Sequence, residues 1–193
     1  MAHRMALDRP NTWPGGGRRR PIAWSDNPVI FGAYPIGFEH HILRQGLLGT
    51  HRADDVLHVC SGGVPAKWTV DVRHEVSPAV VANAAALPFA SSTFRAVLID
   101  PPYNEAYARQ LYRVTGLPTL KAMLLEAVRV LTPGGRVGLL HFVVPQRPDG
   151  ARRVMVRGIS TGPGFQIRAL TIFEKLHAGA LLDDVQAAAG RED

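Results

Sequence analysis

Val97-Leu98-Ile99-Asp100-Pro101-Pro102-Tyr103 is the stretch on which the reading of this chain turns. An apolar run of strand type ends at an acid, two prolines and an aromatic ring. A buried strand therefore delivers Asp100 to an edge where neither sheet nor helix can continue. The two prolines fix φ and remove two backbone donors, which leaves the carbonyls of Asp100 and Pro101 free to accept from something other than protein. An acceptor cluster beside a tyrosine suits a planar substrate that carries an amino group.

Upstream of that strand, which spans Phe94 to Ile99, three more apolar runs read as strands. Val56-Leu57-His58-Val59-Cys60 is the first, Trp68-Thr69-Val70-Asp71-Val72 the second, and Pro78 to Val81 a short third. They are continuous rather than alternating, as expected of parallel strands covered on both faces. The first ends in Ser61-Gly62-Gly63, where the glycines permit either close backbone approach to a ligand or a left-handed turn. The second ends in Asp71. An acid at that point in a nucleotide-binding α/β sheet accepts from ribose hydroxyls, because two vicinal donors suit one carboxylate; the plain alternative is a turn aspartate. Asn83-Ala84-Ala85-Ala86-Leu87-Pro88-Phe89 is a loop.

Before these strands the ordered part begins near Asn27. Val29 to Phe38, broken by Gly and Pro, predicts a loop packed on the fold, followed by a short helix through Ile42, Leu43, Leu47 and Leu48 and a turn capped by Asp54-Asp55. Downstream, Asn104 to Tyr112 predicts a short helix or a mobile lid. Leu120, Leu124, Ala127, Val128 and Leu131 recur at helical spacing and predict a helix with one face on the sheet, closed by Pro133-Gly134-Gly135. Arg136 to Val144 is a fifth strand. Val154 to Ser160 and Gln166 to Glu174, joined across Thr161 to Phe165, read as a terminal antiparallel pair. No internal repeat is visible.

The chain has 193 residues, 46% of them hydrophobic, and a mean hydropathy near zero, which fits one soluble domain with a core of its own. No apolar run approaches the roughly 20 residues of a membrane span, and no apolar stretch follows the basic N-terminal residues, so neither a span nor a signal peptide is expected. A cytoplasmic protein is predicted. Its one cysteine, Cys60, has no partner for an internal disulfide or a CxxC zinc site, and no metal constellation is apparent.

Net charge is +6, and the first 24 residues supply four of those charges through Arg4, Arg9, Arg18, Arg19 and Arg20 against Asp8. Residues 1–26 therefore read as a disordered basic tail that either holds a phosphate backbone or is merely solvated. Arg147, Arg152, Arg153, Arg157 and Arg168 fall late in the chain, where they line one face beside a polyanion or form an ordinary surface. Residues 27–176 form the domain, and 177–193 an Ala-rich helix or tail. His58 and His141 read as packing or hydrogen-bonding residues rather than bases, and nothing near Cys60 lowers its pKa as a catalytic thiol requires.

With these residues in place, the chain resembles a class I S-adenosylmethionine-dependent methyltransferase, and within that family the amino-methyltransferases acting on adenine N6 or cytosine N4 of DNA, in particular small phage and actinobacterial proteins of this kind. The resemblance runs from about Asn27 to Lys175. It rests chiefly on Asp100-Pro101-Pro102-Tyr103, which matches the family's catalytic loop. It is supported by Val59-Cys60-Ser61-Gly62-Gly63 as the cofactor loop, Asp71 as the ribose acid, the loop from Asn83 and Ala84 on the adenine side, and Leu131-Thr132-Pro133-Gly134-Gly135 before the fifth strand. It implies a Rossmann-like seven-stranded, mostly parallel sheet with an antiparallel terminal hairpin and helices on both faces. It also implies S-adenosylmethionine as cofactor, with Tyr34 to Phe38 over its methionine end. Two departures stand out: Ser61-Gly62-Gly63 replaces the common Gly-x-Gly pattern, and Asn83 stands where an aspartate is usual.

The implied chemistry suits the residues. The lone pair of an exocyclic amino group is delocalised into its ring, so Asp100 and the Pro101 carbonyl would accept both N–H bonds and draw the nitrogen toward tetrahedral geometry. Tyr103 would stack on the base, which in a duplex must first be flipped out at a cost of a few kcal/mol. The expected partner is nucleic acid, DNA before RNA, with a homodimer or a specificity subunit supplying target recognition, because the segment from Asn104 to Pro118 is short and nothing of domain size follows the last strand. Two alternatives remain open. The same loop serves RNA methyltransferases acting on guanine N2, and a catalytically silent cofactor-binding partner subunit would share the fold.

Overall fold

A computed structural model of the chain describes residues 34–35, 37–160 and 166–177. The expected basic tail, the first residues of the expected domain (27–33), the 161–165 connection and residues 178–193 lie outside the described residues.

Seven strands form one sheet: β1 (Val56–Val59), β2 (Trp68–Asp71), β3 (Val80–Val81), β4 (Phe94–Ile99), β5 (Leu131–His141), β6 (Ala151–Ile159) and β7 (Arg168–Lys175). Their order is β3-β2-β1-β4-β5-β7-β6. β3 to β5 run parallel, whereas β7 is antiparallel to both β5 and β6. This is the Rossmann-like sheet with a terminal antiparallel hairpin that the sequence predicts.

Because successive strand residues point to opposite faces, each central strand divides its side chains between two cores. Leu57, Val59, Val97, Ile99, Val137 and Leu139 lie on one face. Val56, Ala96, Leu98, Leu140, Leu170 and Ile172 lie on the other. Helix α3 (Leu120–Val130) covers the first face with Met123, Leu124, Ala127 and Val128. Thr119 caps it by accepting from the Ala122 N–H at 3.2 Å. Helix α1 (Phe38–Arg44) covers the second with Phe38, Ile42 and Leu43. A third helix, α2 (Glu105–Tyr112), follows the acid-proline loop, its N-terminus capped by Asn104, whose side chain accepts from the Tyr107 N–H at 2.9 Å. The segment expected as a helix or a lid is thus helical.

Several boundaries differ from expectation, each for a local reason. α1 stops before Leu47 and Leu48, because Gly46 takes φ +61°. The Gly46 N–H then bonds the Leu43 carbonyl and the Leu47 N–H the Ile42 carbonyl, a Schellman termination that tucks both leucines into the core. Pro133-Gly134-Gly135 does not close α3. The helix ends at Val130, and the fully buried Leu131 is already extended and paired with Phe94. The next register pair is Ala96 with Arg136, so Thr132 to Gly135 form a bulge inside β5. A Cβ on Gly135 would stand 2.8 Å from the Arg95 carbonyl oxygen and 2.9 Å from that of Thr132. Backbone atoms cannot swing away, so Gly135→Ala is expected to destabilise the protein by roughly 1–3 kcal/mol in urea unfolding; an unchanged midpoint would show that the bulge relaxes freely. β5 ends at His141 rather than Val144, since its neighbours stop there: Leu139 pairs with Ile99 and His141 with Ala169.

The link from β1 to β2 is residues 60–67, with no helix, although a parallel crossover usually needs a dozen or more residues. Consequently the turn after β1 is tight, and Cys60 sits at φ 55°.

Candidate active site

The carboxyl ends of the parallel strands meet at one edge, and the chain leaves β1 and β4 toward opposite sides of the sheet. Such a switch point opens a crevice, and here it is a cavity of about 210 Å³. Cys60 and Ser61 enter it after β1, Asp71 at the end of β2, Asn83 and Ala84 after β3, and Asp100, Pro101, Pro102 and Tyr103 after β4. Tyr34 forms a further wall. Every predicted site residue lines this cavity except Gly62 and Gly63. Gly62 turns its N–H away to the Asp71 carboxylate at 2.8 Å, so the left-handed turn, φ 54°, describes its backbone.

Asp71 and Asp100 differ sharply in their surroundings. Both Asp71 oxygens are engaged: Oδ2 accepts from the Gly62 N–H at 2.8 Å and Arg73 Nη2 at 3.3 Å, and Oδ1 accepts from the Arg73 N–H at 3.0 Å and its Nε at 3.1 Å. The Arg73 guanidinium also lies 4.9 Å from the Tyr112 ring centroid, a cation–π contact that ties the end of α2 to this corner. Asp100 is only 15% exposed, and its nearest cation, Arg168 Nη1, stands 3.5 Å away. Burial pushes the Asp100 carboxyl up to about 7, while Arg168 pulls it down.

The tyrosines and the thiol around the cavity are neutral near pH 7. Burial raises the pKa of Tyr34, Tyr103 and Tyr112, with the Asp100 charge adding in the same direction. Burial also raises the Cys60 thiol, helped by Asp71 and Asp100, the opposite of what a nucleophilic cysteine needs. His58 is fully buried, with Nδ1 3.1 Å from the Tyr34 hydroxyl and Nε2 3.3 Å from Glu39; it braces the Tyr34 wall from behind. His141 Nδ1 accepts from the Val143 N–H at 3.0 Å. Both histidines therefore serve packing and hydrogen bonding. Asn83 Oδ1 accepts from the Ala85 N–H at 2.8 Å, an Asx turn that uses one of its two lone pairs.

Sequence reasoning missed Arg73, Tyr112, Arg168 and residues 114–118, all of which line the cavity. The Glu105 carboxylate accepts from the Gly116 and Leu117 N–H groups at 3.1 and 3.0 Å and so folds this segment back over the cavity. The signal for Arg168 was its parity with Leu170 and Ile172 on β7, which share a buried face. Three of the other late arginines are held by protein acceptors. Arg152 pairs with Glu174, Arg147 donates to the Ala151 carbonyl, and Arg153 donates to that of Pro145.

Aromatic rings gather around Tyr103, which lines the cavity. Phe142 lies 4.0 Å from it between centroids, Tyr107 5.5 Å and His141 5.6 Å. Phe142 and Tyr107 are exposed. Among the described residues no helix is long and apolar enough to cross a membrane.

No family model and no curated protein matches the chain. Several solved structures are similar to it in fold. One is a complex between the Haloferax volcanii Trm112 methyltransferase activator and a methyltransferase: 12% identity, 72% of this chain and 88% of that one, TM-score 0.49. Another is the N-methyltransferase NodS from Bradyrhizobium japonicum: 12% identity, 72% and 95% coverage, TM-score 0.49. A third is a SAM-dependent methyltransferase from Methanosarcina mazei: 16% identity, 76% and 99% coverage, TM-score 0.44. At these identities the fold assignment rests on the strand order itself, and function has to be argued from the site.

Proposed function

We propose that this protein transfers a methyl group from S-adenosylmethionine to an exocyclic amino group of a nucleic-acid base, adenine N6 or cytosine N4 in DNA. The observation that carries this reading is Asp100, a largely buried residue of the cavity lining whose carboxylate accepts no hydrogen bond among the described residues, beside Pro101 and the Tyr103 ring. Two prolines supply no N–H to quench those acceptors. A flat substrate slides against Tyr103 and Phe142, and its amino group then meets the Asp100 carboxylate and the Pro101 carbonyl. Accepting both N–H bonds localises the nitrogen lone pair. Catalysis thereafter is mainly a matter of holding the nitrogen in line.

The donor set fits the cofactor. Asp71 suits vicinal hydroxyls, the apolar atoms of Val72, Ala84, Leu117 and Met123 suit an adenine plane, and the free lone pair of Asn83 Oδ1 suits its amino group. When bound, S-adenosylmethionine supplies a methyl carbon made electrophilic by its sulfonium. Cys60, Ser61 and Tyr34 would flank its amino-acid end, and Arg73 would turn from Asp71 toward solvent to admit the ribose. The Arg73 contact also favours one rival, a silent partner subunit in which Asp71 stays capped.

The test is methyl transfer from labelled S-adenosylmethionine to DNA, RNA and protein, with Asp100→Ala as control and cofactor binding followed by calorimetry. Label entering DNA only with Asp100 intact supports the proposal, and label in RNA alone moves it to the guanine N2 alternative. Binding without transfer to any polymer would favour the silent subunit. Absence of cofactor binding sinks the methyltransferase reading altogether. Because the acceptor must be ionised, transfer should rise with pH through a midpoint near 7, and a rate flat from pH 6 to 8 would contradict the role of Asp100.

A further inference from the structure

Two aspartate–arginine pairs face this cavity, and their geometries differ. At Asp71 the guanidinium closes on both oxygens at 3.1 and 3.3 Å. At Asp100 the cation stays 3.5 Å from Oδ2, too far to occupy the lone pairs as a strong hydrogen bond does. The short bond of that same Arg168 Nη1 goes instead to the Tyr103 hydroxyl, at 3.1 Å. Arg168 is itself only 15% exposed, so this is not a surface side chain at rest.

The groups facing Asp100 from the surrounding elements are few. Cys60 comes from the turn after β1, Tyr34 from the segment before α1 with Glu39 beyond it, Tyr112 from α2, and Tyr103 from its own loop with His141 of β5 behind. Across the cavity Asp71 and Arg73 neutralise one another. The tyrosines and the thiol are uncharged near neutrality, so the charge that bears on Asp100 is that of Arg168.

We propose that Arg168 is a positioning residue of this site, its guanidinium holding Asp100 as a carboxylate at a stand-off distance set by the Tyr103 hydroxyl. The charge reaches Asp100 while the acceptor positions stay open to a substrate amine, and the same contact pins the edge of the Tyr103 ring. This rests on the reading of Asp100 as the acceptor of amine N–H bonds. It assigns Tyr103 a second task, that of a spacer, beyond contact with the base.

The test follows the Asp100 carboxyl directly, by carbon NMR of the full chain labelled at aspartate side chains, beside the pH dependence of methyl transfer. Arg168→Gln removes the charge, and the Asp100 midpoint is expected to rise by about one unit or more. Transfer at pH 7 then falls about fivefold or more and recovers toward the unmodified rate above pH 8. Tyr103→Phe removes the spacer, lets the guanidinium close on Asp100, and lowers the midpoint instead. Arg168→Lys keeps the charge and holds the midpoint, but loses the ring contact and raises KM. Opposite shifts in the first two variants support the device. An unmoved midpoint in either variant, or equal pH profiles for Arg168→Gln and Arg168→Lys, overturns it. If the unmodified protein transfers methyl to nothing, the proposed function fails, and the NMR midpoints still decide the role of Arg168.

Discussion

Replacement of Asp100 by asparagine should reduce methyl transfer by about 10³-fold while leaving S-adenosylmethionine binding nearly unchanged. The amide keeps the shape of the side chain but presents an NH₂ on one side and a weaker acceptor on the other, so it cannot take both the charge and the geometry that localise an amine lone pair. The same substitution should raise stability. The folded pKa of Asp100, about 7 against an ordinary 3.8, means that burial opposes ionisation more than Arg168 favours it. Such a group contributes stability fully below about pH 4, and that contribution is lost as pH rises through 7. The amide that replaces it does not titrate. The stability of the variant relative to the unmodified protein should therefore improve between pH 4 and pH 8, by about 2 to 4 kcal/mol. Thermal unfolding across that range measures it; a difference independent of pH would show that Asp100 is not held in the environment described. A residue that is inactive when removed yet destabilising when present is a mark of a site selected for chemistry rather than for folding.

The second large effect is expected at Asp71, with the opposite sign. Its carboxylate is 5% exposed and satisfies the Gly62 N–H together with three donors of Arg73. Asp71→Asn leaves the Arg73 guanidinium, 10% exposed, with an uncharged partner and turns an NH₂ toward its donors. Breaking a buried pair in this way costs about 3 kcal/mol, and the turn after β1 loosens with it. Urea unfolding without any ligand should register that loss, and calorimetry a fall in cofactor affinity of at least tenfold. The charge-removing variant of the partner, Arg73→Gln, separates the two roles. If Arg73 must leave Asp71 to admit the ribose, Arg73→Gln should bind the cofactor at least as tightly as the unmodified chain despite being less stable. Weaker binding would make Arg73 part of the ribose site and not a competitor for it.

The extent to which the chain announced its own structure varies with the range of the forces involved. The strands β1, β2 and β4 were legible because a run buried on both faces must be apolar throughout, and Asp100 because no regular element crosses two prolines. α3 was legible from its spacing, yet its end was not: Pro133-Gly134-Gly135 looks like a terminator, whereas the burial of Leu131 against Phe94 starts β5 before those residues are reached. Leu47 and Leu48 similarly looked helical and are instead the tail of a glycine-terminated turn. In both places a local signal was outweighed by a side chain seeking the core.

The site divides along the same line. By itself the sequence singled out the acid on which the proposed chemistry rests, since Asp100-Pro101-Pro102-Tyr103 is contiguous and its two prolines supply no N–H for reasons of covalent structure alone. It also determined which strand tips would converge, since parallel strands bring their carboxyl ends to one edge. Only the tertiary structure decided the electrostatics. Antiparallel β7 begins where the parallel strands end, so its first residue, Arg168, arrives beside Asp100 from far along the chain. Arg73, two residues beyond Asp71, could have faced solvent but folds back onto both oxygens and the Tyr112 ring. Charge acts through space over a few ångströms, and separation along the chain says nothing of that distance until the sheet has closed.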